Sequence, residues 1–144
     1  MTTAGDGDLR PIARFEVVAA PGHVGGLREA VALPLEAGET PPVPQVPPTY
    51  PVIWLGNPEV RAAVRSVAGM ERGLPLHFSQ SVTYLAPIAV GESYALDLRW
   101  RPLPHRDPTR PKLEFVATVT DAAGQAIARM SSVLLVVPLI GASP

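Results

Sequence analysis

The chain has no cysteine among its 144 residues. That absence excludes disulfides, thiolate metal sites and cysteine nucleophiles, and it leaves the redox compartment open. Charge is sparse too: 17% of residues are charged and the formal net charge is −1. A chain so close to neutral exerts little long-range pull on nucleic acid or on an anionic membrane surface, so neither is an expected partner. The three histidines are scattered, and without cysteine they offer no metal-ligand spacing. No metal and no cofactor is expected. The longest apolar run, VLLVV at residues 133–137, is the length of a strand and far too short to cross a bilayer. The first residues, MTTAGDGDLRPIARF, lack the basic and apolar regions of a secretory signal. A cytoplasmic setting is the expectation.

What is present argues for a folded domain. Hydrophobic residues make up 47%, which with so little charge is the composition of a globular core and not of a disordered chain. The length suits one domain large enough to stand without staples. Residues 1–10 read as a flexible tail, 11–138 as the domain, and 139–144 as a second tail. Proline reaches 18, and eleven of the twelve basic residues are arginine; both suit a GC-rich coding genome as well as any physical purpose.

The first half is irregular. Residues 12–19 alternate Ile12, Arg14, Glu16 against Ala13, Phe15, Val17, a strand pattern. After Gly22, Gly25 and Gly26, LREAVAL at 27–33 could form two helical turns closed by Pro34. Residues 40–51, TPPVPQVPPTYP, hold six prolines in twelve positions. Proline has no amide donor and biases its predecessor toward extended angles, so this is neither helix nor central strand. It reads as an extended loop packed on its own domain, in preference to a polyproline ligand, because Tyr50, Val52, Ile53 and Trp54 follow at once and look like core. Asn57-Pro58-Glu59 then reads as a helix start. Val60, Ala63, Val64 and Val67 fall on one face, with Arg61 and Arg65 on the other and Gly69 as a stop.

The second half is strands. Tyr94, Leu96, Leu98 and Trp100 alternate with Ala95, Asp97, Arg99 and Arg101; Leu113, Phe115, Ala117 and Val119 alternate with more polar neighbours. Asp121-Ala122-Ala123-Gly124 is a hairpin turn signal before a long return strand over 125–137. Residues 74–98, LPLHFSQSVTYLAPIAVGESYALDL, read as two strands about a Pro–Gly-marked corner. Counting by twos puts Leu76, Phe78, Gln80, Val82 and Tyr84 on one side and His77, Ser79, Ser81 and Thr83 on the other. An amide among Leu, Phe and Val needs partners, so Gln80 is held by backbone groups or faces a polar pocket. Long antiparallel strands after a helical segment indicate an α+β domain with a helix packed on one face of the sheet.

The order PPTYP (residues 47–51), a helix, LHFSQSVTYLAPIAVGESY (76–94) and FVATVTDAAGQAIARMSSVLLV (115–136) resembles the MaoC-like dehydratases, and within them the N-terminal-type, FAS1-like dehydratase domain. That family's H-x-x-Q-x-x-x-Y-x-x-P-x-x-x-G-(D/E) segment is carried here by His77, Gln80, Tyr84, Pro87, Gly91 and Glu92. The match runs over roughly residues 10–138. The resemblance implies a single hot-dog domain, an antiparallel sheet wrapped around a helix, that pairs into a dimer. It also implies an acyl thioester on coenzyme A or acyl carrier protein as ligand, and a place in fatty acid or polyketide metabolism. Pairing would cover the edge strand that a lone sheet leaves open.

The family's D-x-N-P-x-H segment is missing. In active members its His moves the proton α to the thioester and its Asp manages the hydroxyl or water. The corresponding residues 24–45 contain neither Asp nor His, so these roles cannot be carried over. His77 is left as the one candidate base. His77, Gln80, Tyr50 and Tyr84 are the candidate substrate-binding residues; the first two could equally tie their strand to the proline loop, and the tyrosines could be core packing. Arg99, Arg101, Arg106 and Arg110 could meet the phosphates of coenzyme A or an acidic carrier protein, or could be a solvated loop stiffened by Pro102, Pro104, Pro108 and Pro111. His105-Arg106-Asp107 mimics a catalytic pair but sits on a proline-rich segment poor at holding a buried dyad.

Three readings follow. The first is a non-catalytic subunit of a heteromeric (R)-specific enoyl hydratase or 3-hydroxyacyl dehydratase, whose hot-dog partner supplies Asp and His. The second is a self-sufficient homodimeric dehydratase or thioesterase with a non-standard site, for which Glu29, Glu36 and Glu59 are the acidic options. The third is an acyl-thioester or polyketide-intermediate binding protein without chemistry. The missing dyad favours the first and third.

Overall fold

The computed structural model describes residues 6–22, 50–67 and 70–139. The possible helical turns at 27–33, His23, Gly69 and nearly all of the proline-rich segment lie outside the described residues. Among the described residues five strands form one antiparallel sheet: β1 (Arg10–Val18), β2 (Gly73–Tyr84), β3 (Ser93–Leu103), β4 (Lys112–Thr120) and β5 (Ala126–Pro138). Their order across the sheet is β1-β3-β4-β5-β2. Two short helices, α1 (Pro51–Leu55) and α2 (Pro58–Arg65), precede β2.

Strand alternation builds the core. Leu96 and Leu98 on β3, Phe115, Ala117 and Val119 on β4, and Ala128, Met130 and Val136 on β5 are all buried. They meet Trp54 of α1 and Val60 of α2, with Ala63, Val64 and Val67 packed partly against them. The Trp54 indole donates to the Val18 carbonyl at 3.2 Å, tying α1 to the end of β1. Tyr50 meets the Trp54 ring edge-on at a centroid distance of 5.6 Å. The anticipated core after the proline segment is present, coiled into a helical turn that begins with Pro51 at its first position, where a missing amide hydrogen is no loss.

α2 also starts as its sequence suggests, with Pro58 at the first position and Glu59 in the first turn, but the Asn57 side chain makes no capping hydrogen bond. Its end comes at Arg65, before Gly69, where the Ser66 hydroxyl donates back to the Ala63 carbonyl at 2.7 Å.

The hairpin turn between β4 and β5 is as read. The Asp121 carboxylate accepts from the backbone amides of Ala123 and Gln125, and Gly124 takes the positive φ of 81° that the turn demands. The corner after β2 is pinned rather than tight. Gly91, at φ 84°, donates to the Ala19 carbonyl, and the Tyr94 hydroxyl accepts from the Ala89 amide at 2.8 Å. β2 and β3, consecutive in sequence, are not partners: β3 lies between β1 and β4, and β2 pairs with β5 at the sheet edge.

Two bulges correct the simple alternations. In β1 the register shifts between Pro11 and Ala13, so Ile12 and Phe15, assigned to opposite faces by counting, both pack against the core. In β2 the shift lies between His77 and Ser79. His77 stands opposite Leu134, and Gln80 stands opposite Ser132. Phe78 is the extra residue, and one extra residue reverses the two-residue count beyond it. His77 and Gln80 therefore share the inward face, Gln80 half-buried and His77 still exposed, while Leu74, Leu76 and Phe78 are exposed on the other.

Candidate functional site

A cavity of about 380 Å³ lies between the helices and the inner face of the sheet, a volume in the range of small-molecule sites. Leu98 of β3, Phe115 and Ala117 of β4, and Met130, Ser132 and Leu134 of β5 form its floor. Pro75, His77 and Gln80 of β2 form one side; Val52 and Leu55 of α1 and Val64 of α2 cover it. The floor is apolar because every second residue of three buried strands projects there.

The polar groups on this apolar wall are few. The Gln80 Nε2 atom is buried and finds no hydrogen-bond partner among the described residues. A buried donor left without an acceptor costs about 1–3 kcal/mol, and a ligand carbonyl would relieve that cost. Ser132, 9% exposed, faces Gln80 across the β2–β5 ladder. His77 adds an imidazole, able to donate or accept a proton. Arg61 and Arg65 of α2 also border the cavity. No aspartate or glutamate lines it among the described residues.

The bulge at Phe78 thus brings His77 and Gln80 together. It does not bring in the tyrosines. Tyr50 is fully buried in the core and lies off the cavity wall; its hydroxyl pKa is raised by burial, against the smaller opposing influence of the Ala20 backbone and the Trp54 indole. Tyr84 lies at the far end of β2, partly exposed and likewise off the wall, with its pKa raised by burial.

The basic residues of β3 and the β3–β4 loop are elsewhere and largely satisfied: Arg99 and Arg101 lie on the strand, not on the expected loop. Arg99 pairs with Asp97 at 3.0 Å, and Arg110 pairs with Asp107 at 3.6 Å. Arg101 pairs with Glu114, whose other carboxylate oxygen accepts from the Ser131 hydroxyl at 2.6 Å. Arg106 is exposed on the connecting loop. His105 and Asp107 form no catalytic pair: the Asp107 carboxylate accepts from the Thr109 amide and hydroxyl. Those hydrogen bonds hold its pKa below the usual carboxylate range, with a smaller contribution from the positive charge of Arg110. Among the described residues no group of histidine and carboxylate side chains could hold a metal ion. Glu59, the one described member of the three acidic options, is exposed on α2 and does not line the cavity.

Ser132, Arg61 and Arg65 went unmarked in the sequence. Two serines inside the apolar run ARMSSVLLVV were a usable signal, since counting from Met130 puts Ser132 on the inner face. The arginines gave none, because a charged helix face reads as solvated.

No protein-family model matches the chain. No curated protein matches it in sequence. Solved structures do match in shape. The HadBC (3R)-hydroxyacyl-ACP dehydratase complex of Mycobacterium tuberculosis aligns with a TM-score of 0.69 at 11% identity, over 91% of this chain and 98% of that one. The R-hydratase PhaJ1 of Pseudomonas aeruginosa aligns at 0.57 and 12%, over 92% and 87%. The protein smu.793 of Streptococcus mutans, solved with acetyl-CoA bound, aligns at 0.53 and 13%, over 96% and 94%. The chain is a single hot-dog domain, the fold that its resemblance to MaoC-like dehydratases implied.

Proposed function

We propose that this chain binds acyl thioesters of coenzyme A or acyl carrier protein and serves as the substrate-cradling subunit of a heteromeric (R)-specific enoyl hydratase or 3-hydroxyacyl dehydratase. One observation carries the reading: an apolar cavity with a buried, unpaired amide donor and a single histidine, but no carboxylate among the described lining residues. Gln80 can polarise a thioester carbonyl, as a donor aimed where negative charge develops. Hydration or dehydration also needs a second group to manage the water or hydroxyl, and no carboxylate among the described lining residues supplies one. A partner hot-dog unit would bring it.

The edge of the sheet supports such pairing. β2 is an outermost strand, and it exposes Leu74 (53%), Leu76 (46%) and Phe78 (65%). Among the described residues no strand lies beyond β2, and an outermost strand with an exposed apolar row favours association with another strand. Either a second copy or a catalytic hot-dog subunit fits there, and a cytoplasmic setting goes with acyl-carrier substrates. A thioester-binding role without chemistry is the second reading, favoured by the same lack of a carboxylate.

The test is hydration of crotonyl-CoA and longer enoyl-CoAs by the purified protein, alone and mixed with a hot-dog protein carrying the D-x-N-P-x-H segment. We expect octanoyl-CoA to bind the chain alone and hydration to need the mixture. Turnover by the chain alone would overturn the reading, and His77→Ala would then test the imidazole as base. Binding without turnover in any mixture would favour the second reading.

A further inference from the structure

The cavity is apolar on its floor and bordered by two cations on its helical side. Arg61 and Arg65 are four residues apart on α2, so they stand on adjacent turns of one helix face. Both border the cavity, both are exposed, and neither makes an ion pair with any described residue. By contrast, Arg99, Arg101 and Arg110 are each held by a carboxylate. The free cations of this domain's described part thus include two beside its ligand-sized cavity, away from the arginine-rich loop.

We propose that Arg61 and Arg65 are specificity-determining residues that bind an oxyanion attached to the ligand whose apolar part fills the cavity. The inference rests on the proposed function in taking that ligand to be an acyl thioester. The acyl portion lies on Leu98, Phe115 and Met130, Gln80 donates to the thioester carbonyl, and the phosphate of the pantetheine arm reaches the guanidinium pair. A guanidinium group presents its donors in the fork geometry that suits phosphate or carboxylate, and two of them stand on adjacent turns of α2 here. A free fatty acid offers the same chemistry, an oxyanion joined to an alkyl chain, so the two sources must be told apart.

Titration calorimetry does this with three probes: octanoyl-phosphopantetheine, octanoyl-pantetheine, which lacks the phosphate, and octanoate. For the unaltered protein, octanoyl-phosphopantetheine should bind about tenfold more tightly than octanoyl-pantetheine, the worth of a charge-assisted contact. The Arg61→Gln/Arg65→Gln double variant should abolish that gap, and Arg99→Gln should keep it. Raising the salt concentration should narrow the gap in the unaltered protein, which guards against a variant that merely folds poorly.

A gap that survives in the double variant, or equal binding of both thioesters by the unaltered protein, overturns the inference while leaving thioester binding intact. If neither thioester binds, the proposed function fails, and octanoate decides this inference independently. Octanoate binding lost in the double variant supports the arginine pair, and octanoate binding unaffected by it, or absent, overturns it.

Discussion

The inner face of the sheet and its outer face treat polar groups in opposite ways. On the outer face, Arg101, Glu114 and Ser131 join across three adjacent strands, and the Arg101 and Glu114 side chains are only 15% and 14% exposed. Every member of that set has a partner. On the inner face, Gln80 is buried without one among the described residues, and Arg61 and Arg65 of α2, at the cavity border, form no ion pair with any described residue. The outer set resembles a structural network, satisfied within the fold. The inner set leaves capacity unspent, as expected where a ligand completes the hydrogen bonding. Satisfaction of polar groups therefore separates the two faces better than the mere presence of charge.

Removing Glu114 should break the outer network with the largest effect. Glu114→Ala leaves a half-buried guanidinium and the Ser131 hydroxyl short of an acceptor, and should destabilise the domain by about 3 kcal/mol. Urea denaturation should show a lower midpoint at unchanged slope, and octanoyl-CoA affinity should be unaltered. A comparable loss of affinity would erase the distinction between the faces.

Gln80→Leu sharpens the comparison from the other side. An apolar side chain of similar size removes the orphan donor, so stability should rise by about 1 kcal/mol or more while octanoyl-CoA binding weakens. If stability falls instead, the amide is already satisfied, and the inner face is no different in kind from the outer.

The smallest effect, absent at neutral pH, concerns Tyr50, whose hydroxyl, like the Gln80 amide, is buried without a hydrogen-bond partner among the described residues. Its folded pKa stands above the ordinary value of 10.0 because burial disfavours the phenolate. The unfolded chain therefore releases this proton first. The associated stability is complete below the unfolded pKa and is lost as pH rises through the folded value. Tyr50→Phe should flatten the alkaline decline of the melting temperature above pH 10. An unchanged decline would assign it to Tyr84 or to other groups.

Much of the strand architecture was legible. Tyr94, Leu96, Leu98 and Trp100, then Leu113, Phe115, Ala117 and Val119, alternate without interruption, and each set contributes to the buried face or packs against it. The Asp121–Gly124 turn was legible because an aspartate cap and a positive-φ glycine have few other uses. Less was legible at the cavity. His77 and Gln80 stood out by type, yet counting by twos separated them, because nothing in HFSQ announces a bulge. The satisfied state of the arginine run was also hidden. Glu114 and Asp97 neutralise Arg101 and Arg99, and the Arg101–Glu114 pair exists only because two strands meet in one register.

By itself, then, the amino-acid sequence determined the strands and the turn chemistry, since these depend on local periodicity and on residues with narrow conformational preferences; the hot-dog resemblance came from a motif and the order of segments. The lack of an Asp/His segment over residues 24–45 was equally a property of the sequence. Only the tertiary structure decided that β2 is an edge strand, that His77 and Gln80 look into one apolar cavity, and that Arg61 and Arg65 border it. Those facts depend on strand order, on one inserted residue at Phe78 and on how α2 lies over the sheet. Each is set by packing between segments far apart in the chain, which local periodicity does not encode.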